Sequence, residues 1–285
     1  KLSTFAEETK CRSSLHLTLV TTYGTNTVSI VAEKDQTANV TLSGANIDGS
    51  TKGNAAVSTT GEGNVSIELD GDSTLKSGFS HAGLEKNNGG KLTIADEDKN
   101  GKLTAEGGKY GAGIGGGDQG AGSGITITGG EIKASGGQDG AGIGGGKGAG
   151  SDITISGGEV TATATVGGNA IRAVKDITVS DGAQVTATNN SQHFSAITAG
   201  QASDGVVNNL SKLIVSGEKT KITATNSYAN SSTGAIHAYI KNANEGHYLQ
   251  VGTDTKAIAP NVKTTVQNNS LTITRGDAYT TPQVA

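Results

Sequence analysis

The sequence has no tryptophan and no methionine, and aromatic residues make up only 3% of its 285 residues. A compact globular core would need larger side chains than these, so the composition argues against a conventional globular domain. A thin core, one or two side chains wide, can instead be filled by isoleucine, valine, leucine and alanine. The chain supplies those residues in quantity.

Other shortages exclude further classes of protein. The single Cys11 cannot form an internal disulfide, and two prolines beside 45 glycines fit neither collagen nor a proline-rich linker. No apolar run reaches the roughly 18 residues of a transmembrane helix, so we predict no membrane insertion. A net charge of −4 argues against nucleic acid as a partner. We expect any signal or anchor to lie outside this sequence.

An internal repeat is the most informative feature that is present. The segment Gly111–Gly117 (GAGIGGG) recurs unchanged as Gly140–Gly146, 29 residues later, and Ile125 and Ile153 behind them are 28 residues apart. A period of this length is typical of a solenoid, and the segments after each copy have the composition of strands.

The strand segments alternate strictly between apolar and polar residues. In Ile153-Thr154-Ile155 the two isoleucines share one face and the threonine lies on the other. We therefore predict an all-β fold, a right-handed parallel β-helix with three strands per coil and a small N-terminal cap. The predicted division is residues 1–39 for the cap and entry strands, 40–275 for the β-helix and 276–285 for a tail or linker.

The third strand of each coil carries the glycine-rich motif or a variant of it. Alignment of these strands predicts one outward-facing column of stacked residues, from coil to coil: Glu85, Gly115, Gly144, Arg172, Thr198 and His237. Loop insertions change the spacing between coils, and a solenoid often places such loops on its binding side.

The succession of GAGIGGG, ITITGG and EIKASGG resembles repeats in large cell-surface proteins of Gram-positive gut and soil bacteria. The resemblance is strong over residues 91–180 and weaker over 40–240. It implies a right-handed parallel β-helix, often described as adhesin-like or carbohydrate-binding, in an extracellular protein that is surface-bound or secreted. It also implies that the chain is part of a larger multidomain protein. The matching residues are turn glycines and core aliphatics, so the resemblance carries over no catalytic residues.

We predict a non-catalytic, adhesin-like β-helix that binds host or dietary glycans or a host surface protein. The alternatives are a polysaccharide lyase or glycosidase on the same fold, and a rigid spacer of a larger surface protein. A lyase needs a basic residue among calcium-binding carboxylates, and an inverting glycosidase needs two carboxylates about 6.5–9.5 Å apart. The outward positions are mostly Thr, Ser, Lys and Gly, which favours binding over catalysis.

The candidate ligand-binding residues are Arg172, His237 and Tyr239. Sugar sites commonly combine aromatic platforms with polar groups. Most tyrosines and histidines lie in the C-terminal third, near the loop insertions, so the ligand surface is expected there. The alternative is that these aromatic residues fill the last coil.

One segment resembles the opening of a calcium-binding loop. Asp96, Asp98 and Asn100 would supply side-chain oxygens, and Lys102 a backbone carbonyl, in the pattern D-x-D-x-N-G. The pattern departs at position 12, where Gly107 replaces the bidentate glutamate. The alternative is a polar turn between two strands. We predict no cofactor, with structural calcium at this loop as the open alternative.

Overall fold

The computed structural model describes residues 16–20, 27–148, 150, 152–200, 211–217, 219–228, 235–242, 248–250, 262–267 and 270–275. In these described residues, successive strands pass in turn through three sheets of eight, ten and nine strands, here called A, B and C, and pair in parallel with strands about one coil away. The predicted all-β parallel β-helix is therefore confirmed. In the described part of the chain, no helix is long and apolar enough to cross a membrane.

Sheet A has eight strands and carries the glycine-rich motif. Its strands are β2 (Val28–Ala32), β5 (Val57–Gly61), β8 (Leu84–Lys86), β11 (Ile114–Gly115), β14 (Ile143–Gly144), β17 (Ile171–Ala173), β20 (Ile197–Ala199) and β23 (Ile236–His237). The short strands β11 and β14 coincide with the two GAGIGGG copies, where glycine-rich loops follow immediately.

Sheet B has ten strands and begins the Thr-rich part of each coil. Its strands are β1 (His16–Val20), β3 (Thr37–Ser43), β6 (Asn64–Asp70), β9 (Leu92–Ala95), β12 (Ile125–Ile127), β15 (Ile153–Ile155), β18 (Ile177–Val179), β21 (Lys212–Val215), β24 (Tyr239–Asn242) and β25 (Tyr248–Gln250). The last pair, β24 and β25, is antiparallel, which ends the parallel stacking in this sheet.

Sheet C has nine strands and contains the longest regular Thr ladders. Its strands are β4 (Asn46–Asp48), β7 (Asp72–Lys76), β10 (Lys102–Glu106), β13 (Glu131–Gly136), β16 (Glu159–Ala164), β19 (Gln184–Asn189), β22 (Lys221–Asn226), β26 (Val262–Gln267) and β27 (Ser270–Arg275). The antiparallel hairpin β26–β27 pairs with β22. A short 3-10 turn, Ser50–Lys52, follows β4.

Residues 1–39, the predicted cap and entry strands, include β1 and β2, and each of these pairs in parallel with a strand of the next coil. Residues 1–15 and the predicted tail, 276–285, lie outside the described residues.

The core consists of aliphatic ladders that run along the solenoid axis. In sheet B, Ile127, Ile155 and Val179 lie in register on successive strands, and none of the three is exposed. The threonine that precedes each of these residues in the sequence points outward and is partly exposed. This is the alternation that the sequence predicts, and it confirms the inward assignment of Ile155.

Close packing between coils accounts for the glycines of the repeated motif. A Cβ built on Gly140 lies 2.0 Å from the carbonyl oxygen of Gly111, and one built on Gly111 lies 1.9 Å from that of His81. Gly115 and Gly144 also have positive φ angles, 136° and 123°, which side chains rarely tolerate. The GAGIGGG repeat is therefore a packing requirement of the corner between sheets C and A.

Candidate functional site

The predicted outward column of sheet A is present in the structure. Gly115 pairs with Glu85 and Gly144, and Arg172 pairs with Gly144 and Thr198, which in turn pairs with His237. Arg172 and His237 are thus two strand spacings apart, about 9.6 Å along one sheet. Tyr239 belongs to sheet B, where it pairs with Lys212, so it does not share this column.

Glu85 is a buried carboxylate that its own coil fully satisfies. Its Oε2 accepts hydrogen bonds from the backbone N–H of Ala82 at 2.9 Å and is 2.8 Å from Nδ1 of His81. Its Oε1 accepts one from Nδ2 of Asn87 at 2.7 Å. Because three polar groups hold this carboxylate, it fixes the shape of the turn before β8 and leaves no unmet charge there.

Lys86, the next residue, is a buried cation with one hydrogen-bond acceptor. It is 5% exposed, and its Nζ donates to the carbonyl oxygen of Asn88 at 2.7 Å. Burial lowers the pKa of Lys86 to about 8, because desolvation disfavours the charged amine.

Replacing Lys86 with methionine is expected to stabilise the protein at pH 7 by about 1–2 kcal/mol, because the stem stays buried without a charge. The pKa of Lys86 rises from about 8 to 10.5 on unfolding, so the cost of burial is complete below pH 8. It disappears as the pH rises towards 10.5, and the advantage of the variant should shrink over that window in urea unfolding. The control Lys91→Met removes an exposed lysine. A pH-independent advantage would contradict this account.

The predicted calcium loop forms a turn that its own side chains cap. The Asp96 carboxylate accepts hydrogen bonds from the backbone N–H groups of Asn100 at 3.2 Å and Gly101 at 3.1 Å. Oδ1 of Asn100 accepts one from the N–H of Gly71 at 3.4 Å, and β10 begins at Lys102. Among the described residues, no group of three or more His, Cys, Asp or Glu side chains is placed to hold a metal. Calcium binding through Asp96, Asp98, Asn100 and Lys102 stays a prediction.

The same loop forms one end of a groove of about 530 Å³ at the corner between sheets B and C. Its lining includes Asp96, Asn100, Lys102, Glu131, Glu159 and Asp181. Glu131 contacts Lys133 at 2.7 Å and Lys102 at 3.3 Å, and hydrogen bonds from these two lysines lower the pKa of its carboxyl group. Glu131 and Glu159 are paired in register on neighbouring strands.

An exposed aromatic pair lies at the corner between sheets C and A. The rings of Phe79 and Tyr110 meet edge to face, with centroids 5.5 Å apart and an interplanar angle of 77°. Two lysines lie over the Tyr110 ring, with Nζ of Lys109 at 4.8 Å and Nζ of Lys147 at 5.2 Å from its centroid. Phe79 is 60% exposed, so much of its surface faces solvent. These four residues are called the aromatic platform below.

The backbone of Tyr110 is in a conformation that bulky residues rarely adopt. Its φ is 72°, in the left-handed region, and the equivalent turn positions of adjacent coils hold Ser80, Asp139 and Gly167, also at positive φ. A non-glycine residue in this region costs about 1 kcal/mol or more. Positive φ is therefore a property of this turn in all four coils, and Tyr110 is the bulkiest of the four residues that adopt it.

The platform was not predicted from the sequence, which pointed to the C-terminal third. One signal was available, because aligning Gly78-Phe79-Ser80 with Gly108-Lys109-Tyr110 shows that the two aromatics occupy adjacent turn positions in consecutive coils. In the C-terminal third, Tyr228 is 38% exposed, and Tyr279 lies outside the described residues.

The fold and the repeated corner define a parallel β-helix built from glycine-rich coils. A family model described as a beta helix repeat matches residues 99–118 and 125–147, which include both GAGIGGG segments. Comparisons with curated proteins and with solved structures found no significant match.

Proposed function

We propose that this chain is a non-catalytic, adhesin-like β-helix that binds glycans, and that the aromatic platform is its contact surface. The observation that supports the proposal most directly is the solvent-exposed ring of Phe79 beside a strained Tyr110. Aromatic rings beside polar groups are the usual contact surface for sugars, whose C–H faces pack on the ring. A bulky side chain at positive φ is uncommon, which supports a functional role for Tyr110.

In this arrangement, Phe79 is the residue best placed to contact the ligand. The two lysines occupy the surroundings of the Tyr110 ring, whereas Phe79 exposes 60% of its surface. Tyr110 then supports Phe79 edge to face. The proposal includes an extracellular location, on a bacterial surface or secreted, and a place within a larger multidomain chain. Both rest on the resemblance of the repeat to surface proteins.

The test is a glycan and mucin array with the purified chain, in EDTA and in millimolar calcium. We expect saturable binding to one glycan class, with Phe79→Ala weakening it about tenfold or more, since one stacked aromatic contributes about 1.5 kcal/mol. Tyr110→Gly should also lose binding and keep the fold, because glycine accepts the positive φ. Val166→Ala is the matched control, since Val166 is 70% exposed at the equivalent turn position of another coil.

Binding that survives in Phe79→Ala, or silence towards every glycan, would overturn the platform as a sugar site. Silence would favour the spacer alternative or a protein ligand. Release of reducing ends from an array polysaccharide would favour the enzyme alternative instead, with Glu131 and Glu159 in the groove between sheets B and C as the first carboxylates to replace.

A further inference from the structure

Arg172 lies on sheet A, two strands beyond the coil that contains Tyr110. The loop that follows β14 connects the two regions, because the N–H of Lys147 donates to the carbonyl oxygen of Tyr110 at 3.1 Å. At its other end, Gly150 accepts a hydrogen bond from the N–H of Val174, two residues after Arg172. The platform and Arg172 therefore flank one glycine-rich loop.

The guanidinium of Arg172 is half-buried and has no counter-charge in the described part of the chain. The ion pairs there involve Lys76, His81, Lys102 and Lys133, and none includes Arg172. Burial lowers the pKa of Arg172, and no nearby carboxylate opposes that shift. The group still stays protonated at neutral pH, so its charge is partly desolvated, and no ion pair with a described residue compensates for that.

The described neighbours of Arg172 in this column offer it no free carboxylate. Glu85, the carboxylate of this column, is already held by its own coil. On the other side of Arg172, Thr198 is 2% exposed, and its Oγ1 accepts a hydrogen bond from Nδ2 of Asn169 at 2.8 Å. Thr198 is therefore buried and already hydrogen-bonded, whereas Arg172 is partly exposed.

We infer that Arg172 binds an anionic group, so that the ligand of the surface is an acidic saccharide. The inference rests on the proposed glycan binding at the platform and adds the chemical class of the ligand. A planar guanidinium binds carboxylate or sulfate through two parallel hydrogen bonds, and the anion would supply the charge that this part of the solenoid lacks. Uronic acids, sialic acids and sulfated sugars share this chemistry.

The experiment compares the native chain and three variants on matched oligosaccharides: oligogalacturonate, sialyllactose, a sulfated chondroitin fragment, and neutral lactose. We expect the native chain to prefer one acidic class over lactose by about tenfold or more, and Arg172→Gln to remove that preference, since charge-assisted pairs are the strong ones. Arg172→Lys should recover part of it. The control Lys175→Gln removes an exposed cation three residues away, with the same change in net charge.

A second measurement needs no saccharide. Low-millimolar inorganic sulfate should raise the melting temperature of the native chain and of Lys175→Gln, and raise that of Arg172→Gln less, because a ligand stabilises the state that binds it. Phe79→Ala should keep this response to sulfate, since Phe79 carries no charge.

The outcomes separate the two proposals. Equal losses in Arg172→Gln and Lys175→Gln, or no acid preference in the native chain, would overturn the anion site. Glycan binding that still depends on Phe79 would then leave the platform standing. A sulfate response that depends on Arg172 without any glycan binding would support the anion site and overturn the platform. No binding and no Arg172-dependent response would overturn both.

Discussion

Replacing Ile155 with aspartate is expected to cost about 5 kcal/mol or more of unfolding free energy, or to prevent folding. Ile155 is completely buried in sheet B, stacked between Ile127 and Val179 of the neighbouring coils. The change removes a large aliphatic group from a close-packed core and puts an ionisable group where nothing can pair with it. The free energy of unfolding of a typical domain is only about 5–15 kcal/mol.

Thr154→Asp is the matched control, because it introduces the same side chain one residue earlier, on the outward face. Thr154 is partly exposed, so its substitution should change stability by no more than about 1 kcal/mol. If Ile155→Asp does not fold, Ile155→Ala should give a measurable loss of about 3 kcal/mol. Urea unfolding followed by circular dichroism measures all three. Equal stability of the Ile155 and Thr154 variants would contradict the structure.

Alternation and period explain why so much of the fold could be predicted. An apolar residue at every second position fixes which side of a strand faces inward, as in Ile153-Thr154-Ile155. A repeat of 28 residues between Ile125 and Ile153 then aligns equivalent positions on successive coils. For that reason the register of the column from Glu85 to His237 was predicted correctly, although those side chains have nothing chemical in common.

The parts that escaped prediction depend on contacts at the corners. Phe79 and Tyr110 meet because consecutive turns stack. Aligning the coils places the two residues on neighbouring turns, but their contact is diagonal, so the alignment does not show that the rings touch. The burial of Glu85 depends on hydrogen bonds from Ala82 and Asn87 in its own turn. The sequence suggests a charged outward residue there, and only the folded turn shows that its charge is satisfied.

Arg172 is the opposite case. The sequence selected this residue, and the structure supplies the physical argument that it binds a ligand. The prediction chose it, together with His237, as a basic residue of the sheet A column. The structure adds that it is half-buried and that no carboxylate of the described residues opposes the shift of its pKa. An uncompensated charge is a stronger argument for a ligand than residue type alone, because the folded chain bears its desolvation cost.

The repeated GAGIGGG motif looks like a ligand-binding loop, but its glycines are needed because neighbouring coils pack too closely for side chains. At Gly140, a Cβ would lie 2.0 Å from the carbonyl oxygen and 2.6 Å from the carbonyl carbon of Gly111 in the preceding coil. Both are backbone atoms, so the overlap can be relieved only by separating the coils. The pairing of Ile114 with Ile143 lies close by and would be disturbed.

Gly140→Ala is therefore expected to destabilise the protein by about 2–3 kcal/mol, the cost of overpacking a site that cannot relax. Gly89→Ala is the matched control. The Cβ of an alanine there would be 3.5 Å from the nearest atom, the Cα of Glu62, and the φ of Gly89 is not positive. This control should be neutral or stabilising by about 0.5 kcal/mol, because alanine restricts the unfolded chain. Urea unfolding of the two variants measures the difference, and equal stabilities would mean that neighbouring coils are further apart at this corner than the structure places them.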